Sequence, residues 1–240
     1  MLFRSRLRGR LTITPEKLAR YLGPTRFLDT VVERGSRIGV ANGLAWTEVG
    51  GDVLTIEVSI LPGRGELLLT GKLGEVMRES GQAALSYARA RATRLGLDKW
   101  FYRDIDIHVH IPEGASPKDG PSAGITMCAA LVSALTGVPT RADVAMTGEI
   151  TLRGTVLAIG GLNEKTVAAR RAGLKTLLIP KANEKDLAEV PEEVRADITF
   201  VLVENMDQVL QHALQGPIPG VTQSAAVAGS DQGEAASYAH

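Results

Sequence analysis

An apolar segment rich in small residues, 122–135, lies near the middle of the chain and constrains its fold more than any other stretch. Pro121 suits the first position of a helix, because a proline there gives up no intrahelical hydrogen bond. Gly137 and Pro139 break the pattern at the other end. The segment therefore predicts an apolar helix in the centre of the sequence.

Strands and helices are predicted on both sides of this helix. Alternation of β-branched residues predicts strands over 37–70, with hairpin turn signals at Asn42-Gly43 and Gly50-Gly51-Asp52. The remaining strands are predicted at 105–111, 144–147, 155–159, 176–179 and 199–203, and the other helices at 14–22, 72–95, 160–172, 184–188 and 206–214. Because the two kinds of element mix without a regular strand–helix–strand period, the sequence predicts an α+β fold.

Charge and cysteine content argue against several classes of function. The 27 basic and 27 acidic residues give a net charge of zero, so nothing here predicts attraction to DNA, RNA or an anionic membrane. The single cysteine, Cys128, excludes an internal disulfide or a zinc site built on several thiolates. With no long apolar run and no secretion signal recognised, we expect a cytoplasmic protein without a membrane-spanning helix.

A first candidate for chemistry is Ser122, within PKDGPSAG. A serine in the first turn of a helix lies beside unpaired backbone N–H groups and the positive end of the helix dipole. Such groups can stabilise an oxyanion, and Ala123 and Gly124 leave room for a substrate backbone. A helix-capping role is the alternative interpretation, and it is the commoner one for a serine at this position.

A nucleophilic serine needs a base, and the sequence offers two candidates. His108 and His110 lie on one face of a predicted strand, where with Asp106 they could also bind a metal. Their spacing fits neither a known hydrolase motif nor a known metallopeptidase motif. Lys165 lies early in the helix predicted after Gly160-Gly161, where the dipole, and burial if present, would lower its pKa enough for it to accept a proton. An exposed helical lysine is the alternative interpretation, and it is the commoner one.

The segments PKDGPSAG, MTGEITLRG and IGGLNEKTVAARRAG, taken in order, resemble the peptidase domain of A-type Lon proteases. The spacing from Ser122 to Lys165 agrees, as do WTEVGG, LTGKLGEVM, HVHIPEGASPKDG and LIPKANEKDL. The resemblance covers roughly residues 30–214. It implies an α+β domain with N-terminal β-hairpins and a mixed sheet flanked by helices.

The resemblance also implies a role for individual residues. Ser122 matches the nucleophile and Lys165 the general base of a Ser-Lys dyad, while Thr147 matches the threonine that positions the lysine. The remaining matches are the loop before the nucleophile (Asp119, Gly120 and Pro121), polar residues in supporting roles (His108, His110 and Glu149) and the substrate groove (Trp46 and Glu57). In the family, that loop refolds between an inactive and an active form.

A family member of this kind hydrolyses peptide bonds in unfolded, misfolded or short-lived proteins by acyl transfer. It needs no metal or organic cofactor for the cleavage itself, and it uses ATP and Mg²⁺ only in a separate ATPase module. The resemblance assigns residues 1–29 to the end of that module, 30–215 to the peptidase domain and 216–240 to a disordered tail. It also implies that the longer parent protein is a homohexamer.

Three alternatives are compatible with the same sequence. The chain could be a free-standing, ATP-independent Lon-like peptidase, or a Lon-like fold retained as a non-catalytic assembly module. Cys128 could instead be the nucleophile of a cysteine peptidase, although its place in an apolar helix favours a buried structural thiol.

Overall fold

The computed structural model describes residues 13–23, 35–47, 50–112 and 118–219. Residues 1–30 and 31–240 separate into two compact units. In the first, the predicted N-terminal helix is present as α1 (Pro15–Leu22), with Pro15 at its first position. Of the predicted tail, 216–240, the part from residue 220 onward lies outside the described residues.

The described residues of the second unit form strands β1 (Val40–Thr47), β2 (Gly50–Pro62), β3 (Leu67–Thr70), β4 (Ile105–His110), β5 (Val144–Met146), β6 (Glu149–Ile150), β7 (Val156–Leu157), β8 (Thr176–Pro180) and β9 (Thr199–Val203). Seven of these strands form a mixed sheet, in the order β3-β4-β2-β1-β5-β8-β9. Its antiparallel pairs are β1–β2 and β2–β4, and its parallel pairs are β3–β4, β1–β5, β5–β8 and β8–β9. A separate pair, β6–β7, is antiparallel.

Helices cover both faces of this sheet, which confirms the predicted α+β class. Leu177 and Leu178 are neighbours on β8 and belong to different hydrophobic clusters, as expected when successive side chains point to opposite faces. The helices of this unit are α2 (Glu75–Ala90), α3 (Gly124–Thr136), α4 (Leu162–Arg171), α5 (Glu192–Arg195) and α6 (Met206–Ala213). Helix α3 packs with α2 and α6 on one face, and α4 packs with α5 on the other.

The predicted turn at Asn42-Gly43 is wrong, because both residues lie inside β1 and pair with β2 and β5. Asn42 is buried, and its amide donates to the carbonyl oxygens of Ala142 and Val144. A Cβ on Gly43 would lie 3.1 Å from Thr126 Oγ1 of α3. The glycine therefore allows a helix to pack closely against the sheet. The second predicted turn, Gly50-Gly51-Asp52, also lies inside a strand, because these residues belong to β2 and pair with β1.

The central apolar helix is present, but it begins two residues later than predicted. Pro121–Ala123 form a turn of 3₁₀ helix, and the α-helix starts at Gly124. A Cβ on Gly124 would lie 2.9 Å from Ile150 Cγ2, so the start of α3 packs tightly on β6. Ser122 consequently lies in the short turn that leads into α3.

Candidate active site

A cleft of about 750 Å³ contains both members of the predicted dyad. Ser122 reaches it from the 3₁₀ turn before α3, and Lys165 from the first turns of α4. Trp46, near the end of β1, lines the same cleft. Three separate segments of the fold therefore meet where the chemistry was predicted.

Backbone hydrogen bonds fix the position of Ser122. Its carbonyl oxygen accepts from the Gly148 N–H at 2.8 Å and from Thr147 Oγ1 at 3.3 Å. The Ile125 N–H in turn donates to the Gly148 carbonyl oxygen at 3.1 Å. The segment between β5 and β6 thus holds the serine turn at residue 122 and again at residue 125.

Lys165 is buried, with 2% of its surface exposed. Its Nζ donates to Thr147 Oγ1 at 3.2 Å. Burial lowers the pKa of Lys165 to about 8, although the neighbouring Glu164 carboxylate acts in the opposite direction. Desolvation disfavours the ammonium form, so at moderately alkaline pH much of this lysine carries a free lone pair.

Thr147 links the two dyad residues. Its buried hydroxyl accepts from Lys165 Nζ and donates to the Ser122 carbonyl oxygen. Across the described part of the chain, no hydrogen bond joins Lys165 Nζ directly to Ser122 Oγ. A single intervening hydroxyl therefore holds Lys165 Nζ beside the peptide group of Ser122.

Asp119 lines the cleft and binds the start of helix α2. Its Oδ1 accepts from the Met77 N–H at 3.0 Å and from the Gly120 N–H at 2.8 Å. A Cβ on Gly74 would lie 2.2 Å from Asp119 Cγ, so the carboxylate lies against the start of α2. The loop containing Asp119, Gly120 and Pro121 is anchored to that helix, and the carboxylate satisfies one of its unpaired N–H groups.

His108 and His110 both form hydrogen bonds with a different threonine, Thr70. His108 Nε2 and His110 Nδ1 lie 2.8 and 2.7 Å from Thr70 Oγ1. Asp106 binds the backbone N–H groups of residues 64–66. Among the described residues, no group of three histidine, cysteine or acidic side chains is placed to hold a metal ion.

The remaining predicted residues are divided between the cleft and the sheet. Trp46 lines the cleft and is 56% exposed. Glu57 lies on β2 opposite His110, and Glu149 lies on β6 opposite Leu157. In the part of the chain that the structure describes, neither glutamate nor either histidine lines the cleft.

Cys128 does not resemble a nucleophile. It is fully buried in α3, and burial raises the pKa of its thiol far above the ordinary value. A reactive cysteine needs the opposite shift and access to substrate. The thiol belongs to the hydrophobic core.

Several residues of the cleft were not singled out from the sequence. They are Leu54, Met77, Asn163, Glu164, Asp186 and Glu189. Leu54 and Met77 lie at positions where the sequence pattern predicts only core packing. The three acidic residues lie in polar segments that are typical of any solvent-exposed helix. The position of Asn163 and Glu164 directly before Lys165 is the one signal that could have indicated them.

Sequence similarity to known proteins points to one family. The model of the Lon protease (S16) C-terminal proteolytic domain matches residues 12–216. Lon protease 1 of Myxococcus xanthus is 60% identical over 195 residues, which cover 81% of this chain and 24% of that protein. The Lon protease of Brevibacillus choshinensis is 57% identical over 205 residues, 85% of this chain and 26% of that protein. Lon protease 1 of Bacillus subtilis is 56% identical over 209 residues, 87% and 27% respectively.

The chain spans about a quarter of the length of these relatives. None of the described helices is long and apolar enough to cross a membrane. The family match covers most of the chain, including the cleft and all the elements that form it. The chain therefore belongs to the Lon protease family and corresponds to its C-terminal proteolytic domain.

Proposed function

We propose that this domain is a serine endopeptidase in which Ser122 is the nucleophile and Lys165 the general base. The observation that carries the proposal is a buried lysine, with a pKa of about 8, in the same cleft as a serine at the start of a helix. A neutral amine and a hydroxyl form the minimal pair for nucleophilic catalysis of acyl transfer.

The chemistry follows from the position of each group. Neutral Lys165 takes the proton from Ser122 Oγ, which attacks the peptide carbonyl. Backbone N–H groups of the serine turn that leads into α3 stabilise the oxyanion. The lysine ammonium then protonates the leaving amine, and water hydrolyses the acyl-enzyme. This cycle requires no metal ion or organic cofactor.

Thr147 is the positioning residue in this scheme. Its hydroxyl binds the Lys165 amine and the Ser122 carbonyl oxygen together. We infer that a small rotation of the lysine side chain about this hydroxyl brings Nζ to Ser122 Oγ when substrate is bound. Catalytic hydrogen bonds commonly shorten when the substrate complex forms.

An extended polypeptide is the substrate form that best suits the cleft. Strand β1 pairs with β2 along its whole length but with β5 only at Asn42 and Gly43. Beyond Gly43, the edge of β1 that faces away from β2 is not paired with β5. Leu44, Ala45 and Trp46 of this part of the strand line the cleft. A peptide can add to such an edge through backbone hydrogen bonds, which favours unfolded or misfolded proteins over folded ones.

The properties of the whole protein are further proposals. We expect the parent protein to combine this domain with an ATPase module that uses ATP and Mg²⁺, and to assemble as a homohexamer in the cytoplasm. An ATP-independent enzyme would cleave the same substrates without that module. Residues 1–29 are assigned here to the junction with the ATPase, and the described part of them forms α1.

The test is cleavage of an unfolded protein such as casein by this chain and by its Ser122→Ala variant, followed by gel electrophoresis and mass spectrometry. We expect fragments from the unmodified chain and none from the variant. Equal cleavage by both chains would disprove the assignment of Ser122. No cleavage by either would favour the non-catalytic assembly module.

A further inference from the structure

Two residues of the β1–β2 hairpin face the start of helix α4. Trp46 and Gly51 lie directly opposite each other in the pairing of these strands, and side chains at opposite positions share one face of a sheet. Leu44 and Val53 are the next paired residues on that face, and they belong to the same hydrophobic cluster as Leu162 of α4. The face that carries Trp46 and Gly51 is therefore the one that α4 covers.

The side chain of Trp46 packs on the glycine from which α4 begins. Gly161 directly precedes the helix and has a φ of +67°, a left-handed conformation that favours glycine. A Cβ built on Gly161 would lie 2.9 Å from Trp46 Cδ1 and 3.0 Å from Trp46 Cβ. The tryptophan therefore limits the position of the first helical turn from the side of β1.

Gly51 packs on the peptide group that joins Glu164 to Lys165. A Cβ built on Gly51 would overlap the Glu164 carbonyl group and would lie 2.9 Å from Lys165 N. The Lys165 N–H donates to the Gly161 carbonyl oxygen at 3.1 Å, so this peptide cannot rotate away without breaking the first helical hydrogen bond. The absence of a side chain at residue 51 therefore determines how closely the backbone of Lys165 approaches β2.

These contacts hold the backbone of Lys165, and a separate contact holds its amine. Lys165 Nζ donates to Thr147 Oγ1 at 3.2 Å, and the whole residue is buried. A side chain that is fixed at both ends cannot absorb a displacement of its backbone, so a shift of the first turn of α4 moves the amine as well. Misplacement of a catalytic group by about 1 Å can lower a rate by about 100-fold.

We propose that Gly51, together with Trp46, positions the amine of Lys165 for proton transfer from Ser122, by fixing the distance between β2 and the first turn of α4. This proposal rests on the proposed peptidase function and adds Gly51 to the residues on which that function depends. Nonbonded atoms at contact are about 3.5 Å apart, so an alanine at residue 51 has to push the peptide away by about 1 Å or more. If the end of the hairpin moves instead, Trp46 leaves Gly161 and the turn loses that contact.

The first test is the rate of peptide hydrolysis by the Gly51→Ala chain. With a saturating fluorogenic peptide, we expect kcat per folded molecule to fall by about 100-fold, the folded fraction being taken from circular dichroism. The KM should change little, because Gly51 is not among the described residues that line the cleft.

The second test follows the lysine itself and needs no catalysis. Chains that contain ¹³C-labelled lysine are titrated by NMR, and Lys165→Met identifies the signal of Lys165. Because burial lowers the pKa of Lys165 to about 8, the unmodified chain should show a midpoint near that value. In Gly51→Ala the midpoint should rise, since a gap between α4 and β2 admits water to the amine and weakens its desolvation.

Gly63→Ala is the matched control. Gly63 directly follows the other end of β2, and a Cβ built on it would overlap the Asp106 carboxyl group. Gly63 is likewise not among the described residues that line the cleft. This variant should lower the free energy of unfolding in urea, while kcat per folded molecule and the midpoint of Lys165 stay unchanged.

Trp46→Leu provides a second variant that adds no atom near the backbone of α4. It removes the ring that packs on Gly161 and leaves the contact of Gly51 in place. The NMR midpoint of Lys165 should therefore rise, by less than in Gly51→Ala. If Gly51→Ala does not fold, this midpoint decides the question, and an unchanged value would overturn the proposal.

The remaining outcomes separate this proposal from the proposed function. A folded Gly51→Ala chain with normal kcat and an unchanged lysine midpoint would overturn the positioning role, as would equal effects of Gly63→Ala. If the unmodified chain does not cleave casein, the peptidase function fails. A raised midpoint in Gly51→Ala would in that case still show that Gly51 positions Lys165.

Discussion

Two threonines in this domain each connect a pair of candidate catalytic residues, and the difference between them identifies the site. Thr147 binds Lys165 Nζ and the Ser122 carbonyl oxygen at 3.2 and 3.3 Å. Thr70 binds His108 Nε2 and His110 Nδ1 at 2.8 and 2.7 Å. The contacts of Thr70 are the shorter ones, so hydrogen-bond length alone would favour the histidines.

The surroundings of the two hydroxyls favour Thr147. It is fully buried, and it joins residues of the serine turn and α4, both of which line the cleft. Thr70 lies on the edge strand β3 and joins two residues of the adjacent strand β4. A polar cluster thus gains a chemical role when a cleft gives substrate access to it and burial lowers the pKa of its base.

The largest effect that would distinguish the two clusters is expected from Lys165→Met, which keeps the buried volume and removes the amine. The kcat/KM for peptide hydrolysis should fall by about 1,000-fold or more, because the nucleophile loses its base. The kcat/KM is measured from the initial rate of fluorescence increase with a fluorogenic peptide.

Lys175→Met is the matched control, since Lys175 is exposed and lies just before β8. It should cleave at the normal rate. A Lys165→Met chain that cleaves at the normal rate would contradict Lys165 as the base and favour His108 or His110 instead.

An intermediate effect is expected from Thr147→Val, which removes the hydroxyl between the dyad residues at almost constant volume. The kcat/KM should fall by roughly 10- to 100-fold, the cost of leaving a buried amine without its partner. The pKa of Lys165 should fall further, because the hydroxyl oxygen accepts a hydrogen bond that favours the ammonium. The midpoint of the pH–rate profile should therefore move to lower pH.

Thr147→Ser serves as the rescue variant because it restores the hydroxyl. It should recover most of the rate and the original midpoint. A Thr147→Val profile with an unchanged midpoint would indicate that the threonine acts only on stability.

The smallest effect on activity is expected from Thr70→Val. The histidine pair should lose its shared partner at a cost of about 1 kcal/mol in the free energy of unfolding, measured by urea denaturation. The kcat/KM of the Thr70→Val chain at pH 8 should change by less than about twofold, because a loss of this size leaves the domain folded. A loss as large as that of Thr147→Val would mean that the histidine cluster acts in catalysis.

Most of the fold could be predicted from local patterns. The spans of α1, β4, β8, β9 and α6 follow directly from capping, alternation and helical periodicity. Asn42-Gly43 misled because a turn signal is local, whereas its actual role depends on α3, which is distant in sequence. The start of α3 was misplaced for a similar reason, since Ser122 is held in its 3₁₀ turn by the backbone of Gly148.

The site was predictable in part. Ser122, Lys165 and Thr147 were identified through motifs whose order and spacing resembled one family. Asp186 and Glu189 were not predicted as cleft residues, because they lie in a polar segment that reaches the cleft only after it packs beside α4.

Phosphonylation of Ser122 Oγ by an organophosphonate probe, which expels the leaving group of the probe, is the most direct test of the dyad when followed by intact-mass spectrometry across pH 6 to 10. Below its pKa of about 8, Lys165 is an ammonium and cannot accept the serine proton. The labelling rate should therefore rise with pH through a midpoint near 8, and the Lys165→Met chain should label only at background. A rate independent of pH, or full-rate labelling of Lys165→Met, would contradict the account.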